Sequence, residues 1–431
     1  MPARAVWCTC LLVGLGLAAG GCGGRASATY RIGVIAGCEP QGTGLQYERS
    51  FGGAELPFLR RGAKLVGQKP SGGVHAITIG GTRVELLLRC ANEYRASSDL
   101  DAARRLVELE GADVVVTPFA TNVGSVIALY ARERPSTTFI PTDLEPTATL
   151  NDPPPNVFRF QPDGAQVVAG LGAYAYRTLG WRKVATVGED DPFGWPQVAG
   201  FVAEFCSLGG DVVQRLWASS SELDYSGVVR QIRTRDADGV FFPGGPGGGA
   251  QSFVTALGAR YRNLGRHLIV GTIPLLTDQT PRMLGVVGGS EFPYSATPVG
   301  TRYVADLKRL TGQDTFLLDT VYFKATEAVL EALEQVHGDV SDRGRRFRQA
   351  LAALRLRSPL GIATLDKRHQ AVVPTYLGRL ERGTGGKLFV RQIRVVPNVE
   401  QTFGGYFTPS SPPSSDTQPS CRHGNPPPWA R

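Results

Sequence analysis

Histidine is scarce in this chain. His75, His267, His337, His369 and His423 are the only five in 431 residues. None stands at metal-ligand spacing from another, so an imidazole-based metal centre is not expected. There is no Gly-x-Ser-x-Gly elbow, which removes the commonest serine-hydrolase signature. No arginine or lysine run carries interleaved aromatics, so nucleic acid is not an expected partner. Beyond the N-terminal leader, no segment is long and apolar enough to span a membrane. Gly244-Gly245-Pro246-Gly247-Gly248-Gly249 looks like a phosphate cradle but lacks the following Lys-Ser/Thr, and reads as a flexible turn. Glu189, Asp190 and Asp191 are adjacent, and adjacent carboxylates rarely converge on one substrate bond. An enzyme is therefore not the expected reading, and no cofactor or metal is called for.

What is present is a globular composition, 42% apolar, with 54 Gly and 30 Pro marking many turns. The length calls for two core-forming units, because single cores rarely exceed ~250–300 residues. The net charge of +8 is spread along the chain and suits a protein near anionic lipid. The leader has Arg4, an apolar stretch Val6 to Ala19, and the small-residue end Ala19-Gly20-Gly21-Cys22. That is a secretory signal. Cys22 resembles a bacterial lipobox cysteine, with Ala19 where leucine is usual; the alternatives are lipidation of Cys22 or plain signal cleavage.

Four cysteines then remain in an oxidising compartment: Cys38, Cys90, Cys206 and Cys421. Cys38 follows the first strand and Cys90 ends the second. Those strands are neighbours in a doubly wound sheet, so a Cys38–Cys90 disulfide is expected, contributing roughly 4 kcal/mol. Cys206 is either a small core residue or the partner of Cys421.

The most informative stretch is Trp181 to Val213. Val184 to Val187 is an apolar run of buried-strand length, followed by the turn Gly188-Glu189-Asp190-Asp191-Pro192-Phe193-Gly194. Val198, Phe201, Val202 and Phe205 then lie on one helical face, and Gly209-Gly210 stops the helix. Such β-α-β units present ligand-binding loops at the carboxyl ends of their strands. The same rhythm runs from Tyr30 through strands at Val84–Leu88, Ala112–Val116 and Thr137–Ile140, breaks at Pro153-Pro154-Pro155, and restarts. A helix is expected over Val167–Leu179, a helix with Pro57 near its first turn from Phe51, and a hairpin of Pro374–Leu380 with Leu388–Val396. Gln401 to Arg431 is Pro/Ser-rich and expected to be disordered. Alternation of this kind, twice over, predicts two doubly wound α/β lobes with parallel sheets.

Several stretches in order resemble the type I periplasmic solute-binding proteins, specifically the leucine/isoleucine/valine-binding receptors of ABC importers. They are Phe51-Gly52-Gly53-Ala54-Glu55-Leu56, Asn156-Val157-Phe158-Arg159 with Gln166, Val187 to Gly194, Asp224-Tyr225-Ser226, Ala237 to Phe241, and Thr364-Leu365-Asp366-Lys367. The resemblance implies two lobes joined by a three-segment hinge: 30–155 plus 293–358, and 156–292 plus 359–396. It places a signal peptide at 1–21, a tether at 22–29 and a tail at 397–431. It implies a small polar solute bound between the lobes and partnership with a permease–ATPase complex, outside the cytoplasm, with the lipidated Cys22 as membrane anchor. A sensor or envelope interaction protein of the same fold is the alternative.

Carried over by position, the ligand contacts would be Tyr47, Thr121, Asn122, Thr142, Asp143, Asp191, Phe193, Pro246 and Thr272. Thr121 and Asn122 stand where the family grips a ligand carboxylate, and Phe193 stands at its aromatic wall. Asp190-Asp191 also fits a helix-start cap. Two departures bear on the ligand. Gly244-Gly245-Pro246 lacks the family's frequent tyrosine, and Gly271-Thr272-Ile273-Pro274 lacks the acid that would pair a ligand ammonium.

Overall fold

The structure is a computed structural model that describes residues 29–38, 46–92, 95–119, 123–219, 222–244, 249–272, 280–291, 293, 298–314, 317–359 and 361–431. Cys22, Thr121, Asn122 and Pro246 lie outside the described residues.

The first sheet holds β1 (Thr29–Gly37), β2 (Ile77–Ile79), β3 (Thr82–Ala91), β4 (Val114–Val116) and β5 (Thr138–Ile140), in the order β2-β3-β1-β4-β5. All neighbours are parallel except the edge strand β2. Val114, Val115 and Val116 are all fully buried. Helices cover both faces of such a sheet, so its strands read as continuous apolar runs rather than alternating ones.

The second sheet contains β6 (Lys183–Glu189), β7 (Asp211–Ala218), β8 (Gly239–Phe242), β9 (Leu268–Thr272), β10 (Val287–Ser290), β11 (Leu356–Ser358), β12 (Gly361–Leu365), β13 (Ala371–Arg382) and β14 (Leu388–Val399). Its order is β11-β12-β13-β10-β9-β8-β6-β7, with β14 on β13. The strands from β7 to β10 are parallel, whereas β11 to β14 pair antiparallel. The expected parallel sheets are thus mixed. A short turn such as that between β13 and β14 can join only antiparallel strands. The register of this hairpin shifts between Val373 and Thr375, where Pro374 has no N–H to offer the ladder.

Two helices depart from the sequence reading. Pro57 lies near the end of the helix Gln46–Arg60, not its start. Phe51, Ala54 and Phe58 bury one face of that helix, and that packing holds the helix although Pro57 has no N–H to give to the carbonyl of Gly53. The helix expected over 167–179 is broken at Gly170, which adopts φ 91. The Glu204 carboxylate accepts hydrogen bonds from the N–H groups of Gly170 and Gly172, at 2.8 and 3.0 Å, in place of helical carbonyls.

The expectation of a disordered tail is overturned. Phe403, Tyr406 and Phe407 are buried in the same cluster as Phe201, Phe205, Val396 and Val399. Cys421 is disulfide-bonded to Cys206, while Cys38 is bonded to Cys90. The Trp217 indole donates to Asp416 O, Arg177 to Ala430 O and Arg394 to Trp429 O. Average composition hid a few large aromatics and one cysteine, and those suffice to hold the segment.

Between the sheets, the crossing strands are tied by buried amides. Gln370 Nε2 donates to Gln161 O and Gln166 Oε1, and Gln370 Oε1 accepts from Thr149 Oγ1. Gln166 Nε2 donates to Ala371 O and Val399 O; Gln401 Nε2 donates to Thr149 Oγ1 and Asp163 Oδ2. Alongside them Phe158 stacks on His369 at 4.1 Å.

Gln370→Ala should destabilise the protein by about 2–4 kcal/mol, because it strands several buried polar groups, as read from urea unfolding. Cys421→Ser should cost about 2–4 kcal/mol and should make the chain after Val399 the first site of cleavage in limited proteolysis. A tail that stays protease-resistant would show that packing alone secures it.

Candidate functional site: an interlobe cleft

The cleft is built at the carboxyl ends of β4, β6, β9 and β10. After β4, Thr117 N donates to Ile140 O and Thr142 Oγ1 donates to Thr117 O at 2.8 Å, which ties the ends of β4 and β5 together. Tyr322 Oη accepts from Phe119 N at 3.2 Å and donates to Ile35 O, which sets the loop bearing Phe119. After β6 the chain turns sharply, because Asp191 Oδ1 accepts from Phe193 N and Gly194 N, both at 2.9 Å. A Cβ on Gly194 would lie 2.3 Å from Glu189 O, so the turn requires glycine. This geometry projects Phe193 towards the other sheet, where its ring meets Phe119 edge to face at 6.3 Å.

Behind that contact is a pocket lined by Leu144, Gln161, Pro162, Val167, Phe193, Gln197, Thr272, Ser290, Glu291 and Val321, with about 380 Å³ of empty space including its open mouth. Its walls come from β9 and β10 of the second sheet, from the loops after β5 and β6, from the crossing segment at Gln161 and Pro162, and from helices that include Leu317–Gln335. Most of the lining is apolar, and a few polar groups converge on it, as ligand pockets require.

The structure brings Phe193 and Thr272 together in this lining. The other described candidates stand behind it. Thr142 is fully buried and spends its hydroxyl on Thr117. Asp191 caps the helix Gly194–Ser207. Asp143 is ion-paired with the fully buried Arg159 at 3.1 Å and accepts from Glu145 N. Burial pushes the Asp143 carboxyl up to about 6, with Arg159 opposing the rise. Tyr47 packs edge-on against Phe51 and the apolar core beneath the first sheet. Thr121, Asn122 and Pro246 fall outside the described residues.

Sequence reasoning missed Gln161, Gln197, Ser290 and Glu291. Gln197 was findable, since it lies one helical turn after Phe193 and so shares its face. Ser290 and Glu291 were hidden because β10 reads Val287-Gly288-Gly289-Ser290 and lacks an apolar run. A Cβ on Gly289 would lie 2.5 Å from Val167 O, so close packing demands glycine there.

A sequence model of the family described as periplasmic binding protein matches residues 59–387. The chain belongs to the periplasmic binding protein family, and its fold is the type I form. No curated protein matches the sequence. Among solved structures, an ABC transporter substrate-binding protein from Sphaerobacter thermophilus is similar at 22% identity and TM-score 0.72, covering 86% of this chain and 98% of its own. A solute-binding protein of an ABC transporter from R. palustris, in complex with benzoate, is similar at 21% identity and TM-score 0.70, with the same coverage. The leucine binding protein LivK from Thermotoga maritima is similar at 18% identity and TM-score 0.66, covering 85% of this chain and 99% of its own. At these identities the likeness is one of fold.

Glu189 ends β6 with its carboxyl buried, and burial, with Asp191 nearby, pushes it up to about 9. The unfolded chain ionises near the usual carboxylate range, so between there and about 9 the folded form holds the extra proton and stability falls as pH rises. Glu189→Gln should flatten that decline. Melting curves from pH 5 to pH 9 check it, and an unchanged slope would remove Glu189 as a cause.

Proposed function

We propose that the chain is an extracytoplasmic solute receptor for an ABC importer. It would bind a small solute between two lobes and deliver it to a permease–ATPase complex. The observation that carries this reading is the pocket lined on one side by the strand ends Thr272 and Ser290 of the second sheet and on the other by Leu144, after β5, and Val321, which packs in the core of the first, with Phe119 meeting Phe193 beside it. Such a pocket couples binding to closure. A solute that touches both walls favours the closed form by its differential affinity for it, and needs no catalytic group. The lobes would divide as 30–155 plus 293–358 and 156–292 plus 359–396, with 397–431 fastened to the second. Among the described residues no helix is long and apolar enough to cross a membrane. Attachment would rest on a lipid at Cys22 after removal of the signal peptide. Thr121, Asn122 and Pro246 would complete the set of ligand contacts. The similar R. palustris protein holds benzoate, which suggests a size of solute to try.

A thermal-shift screen of amino acids, amides, sugars and aromatic acids should return at least one solute that raises the melting temperature, since a ligand of the folded state stabilises by mass action. Phe193→Ala should weaken that solute by roughly tenfold or more, about 1.4 kcal/mol, in calorimetric titration. Unchanged affinity would take Phe193 out of the site. No shift with any solute at millimolar concentration would count against a receptor.

A further inference from the structure

The polar part of the pocket has an unusual balance. Glu291 is the only ionisable residue among its described lining residues. It also lines a second, adjoining cavity together with Lys324, Ser358 and Gly361. Its Oε2 is ion-paired with Lys324 Nζ at 2.5 Å, and both side chains are about 4% exposed. Its other oxygen, Oε1, is buried and has no hydrogen-bond donor among the described residues. Gln197 repeats the situation. Its Nε2 donates to Phe193 O at 3.1 Å, while its Oε1 is buried without a donor among the described residues. That oxygen lies over Gly271, where a Cβ would approach it to 2.8 Å, so glycine at 271 leaves the amide its place.

A buried acceptor without a donor is costly, and each such atom in a native fold calls for an explanation. Here two occur in the lining of one pocket, and both can only accept. We propose that Glu291 Oε1 and Gln197 Oε1 form a donor-reading subsite for the solute. This assignment rests on the receptor reading above and narrows the solute class. The ligand would have a small, largely apolar body, matching Leu144, Pro162, Val167, Phe193 and Val321, and a neutral donor such as a hydroxyl or an amide N–H. A full positive charge is disfavoured at this position because Lys324 already neutralises Glu291, and a second cation would be buried beside the first. The subsite therefore does not replace the missing ammonium partner at Gly271-Thr272-Ile273-Pro274. It selects a different headgroup.

Calorimetric titration with matched probes tests this: 4-hydroxybenzoate against benzoate, and benzamide against acetophenone, where each pair differs in the donor. The donor-bearing member should bind roughly tenfold tighter, because the partner leaves the acceptors unmatched. The double variant E291L/K324M removes the acceptor and its counter-ion together, a replacement that buried pairs often tolerate. In it the preference within each pair should fall below about threefold. Gln197→Leu supplies an independent readout should the double variant not fold. Equal binding within each pair, or a preference unchanged in both variants, overturns the subsite and leaves the receptor reading standing. The subsite is likewise overturned if the wider screen finds ligands but neither pair binds. If no solute of any kind binds, both readings fall.

Discussion

The constraint on which the rest of the structure depends is the buried amide knot where the chain crosses between its sheets. Gln370 donates to Gln161 O and Gln166 Oε1 some two hundred residues earlier, Gln166 donates to Val399 O, and Gln401 reaches Gln370 through Thr149, whose hydroxyl accepts from Gln401 and donates to Gln370 Oε1. A crossing point carries extended backbone with unpaired N–H and C=O groups on both sides. In a protein interior those groups must be paired. Glutamine solves this with two N–H donors and a carbonyl acceptor at the end of a flexible stem, and it adds no charge to be desolvated. The apolar alternatives would pack as well but would leave the backbone orphaned.

The knot also bears on the pocket. Gln161 lines the cleft, donates to Asp143 O and accepts from Gln370 through its carbonyl. Asp143 in turn holds Arg159, whose N–H donates to His369 O in the crossing. One lining group, Gln161, and the Asp143–Arg159 pair behind it are thus part of the frame. Asp143 and Thr142 thus serve to fix the loops and do not line the pocket.

The α/β alternation, the strand positions and the aromatic loop after β6 were legible in the sequence, because buried parallel strands leave continuous apolar runs and helices leave a 3.6-residue period. The tail and the glycine-containing strand β10 were not. Both depend on contacts between distant residues: Phe403 with the helix Gly194–Ser207, and Gly289 with the backbone of Val167. A local window sees proline, serine and glycine there and has no view of the partner. The site followed the same divide. Phe193 and Thr272 sit at strand ends that periodicity locates, whereas Glu291 acquires its meaning from Lys324, which follows it on a distant helix.

The two disulfides have a shared consequence. Cys38–Cys90 joins the ends of β1 and β3 within the first sheet, and Cys206–Cys421 fastens the tail to a helix of the second. Neither spans the cleft. Each covalent link stiffens the layer it lies in and adds no crosslink across the cleft, so in the proposed receptor an oxidising environment would harden the jaws without locking the joint.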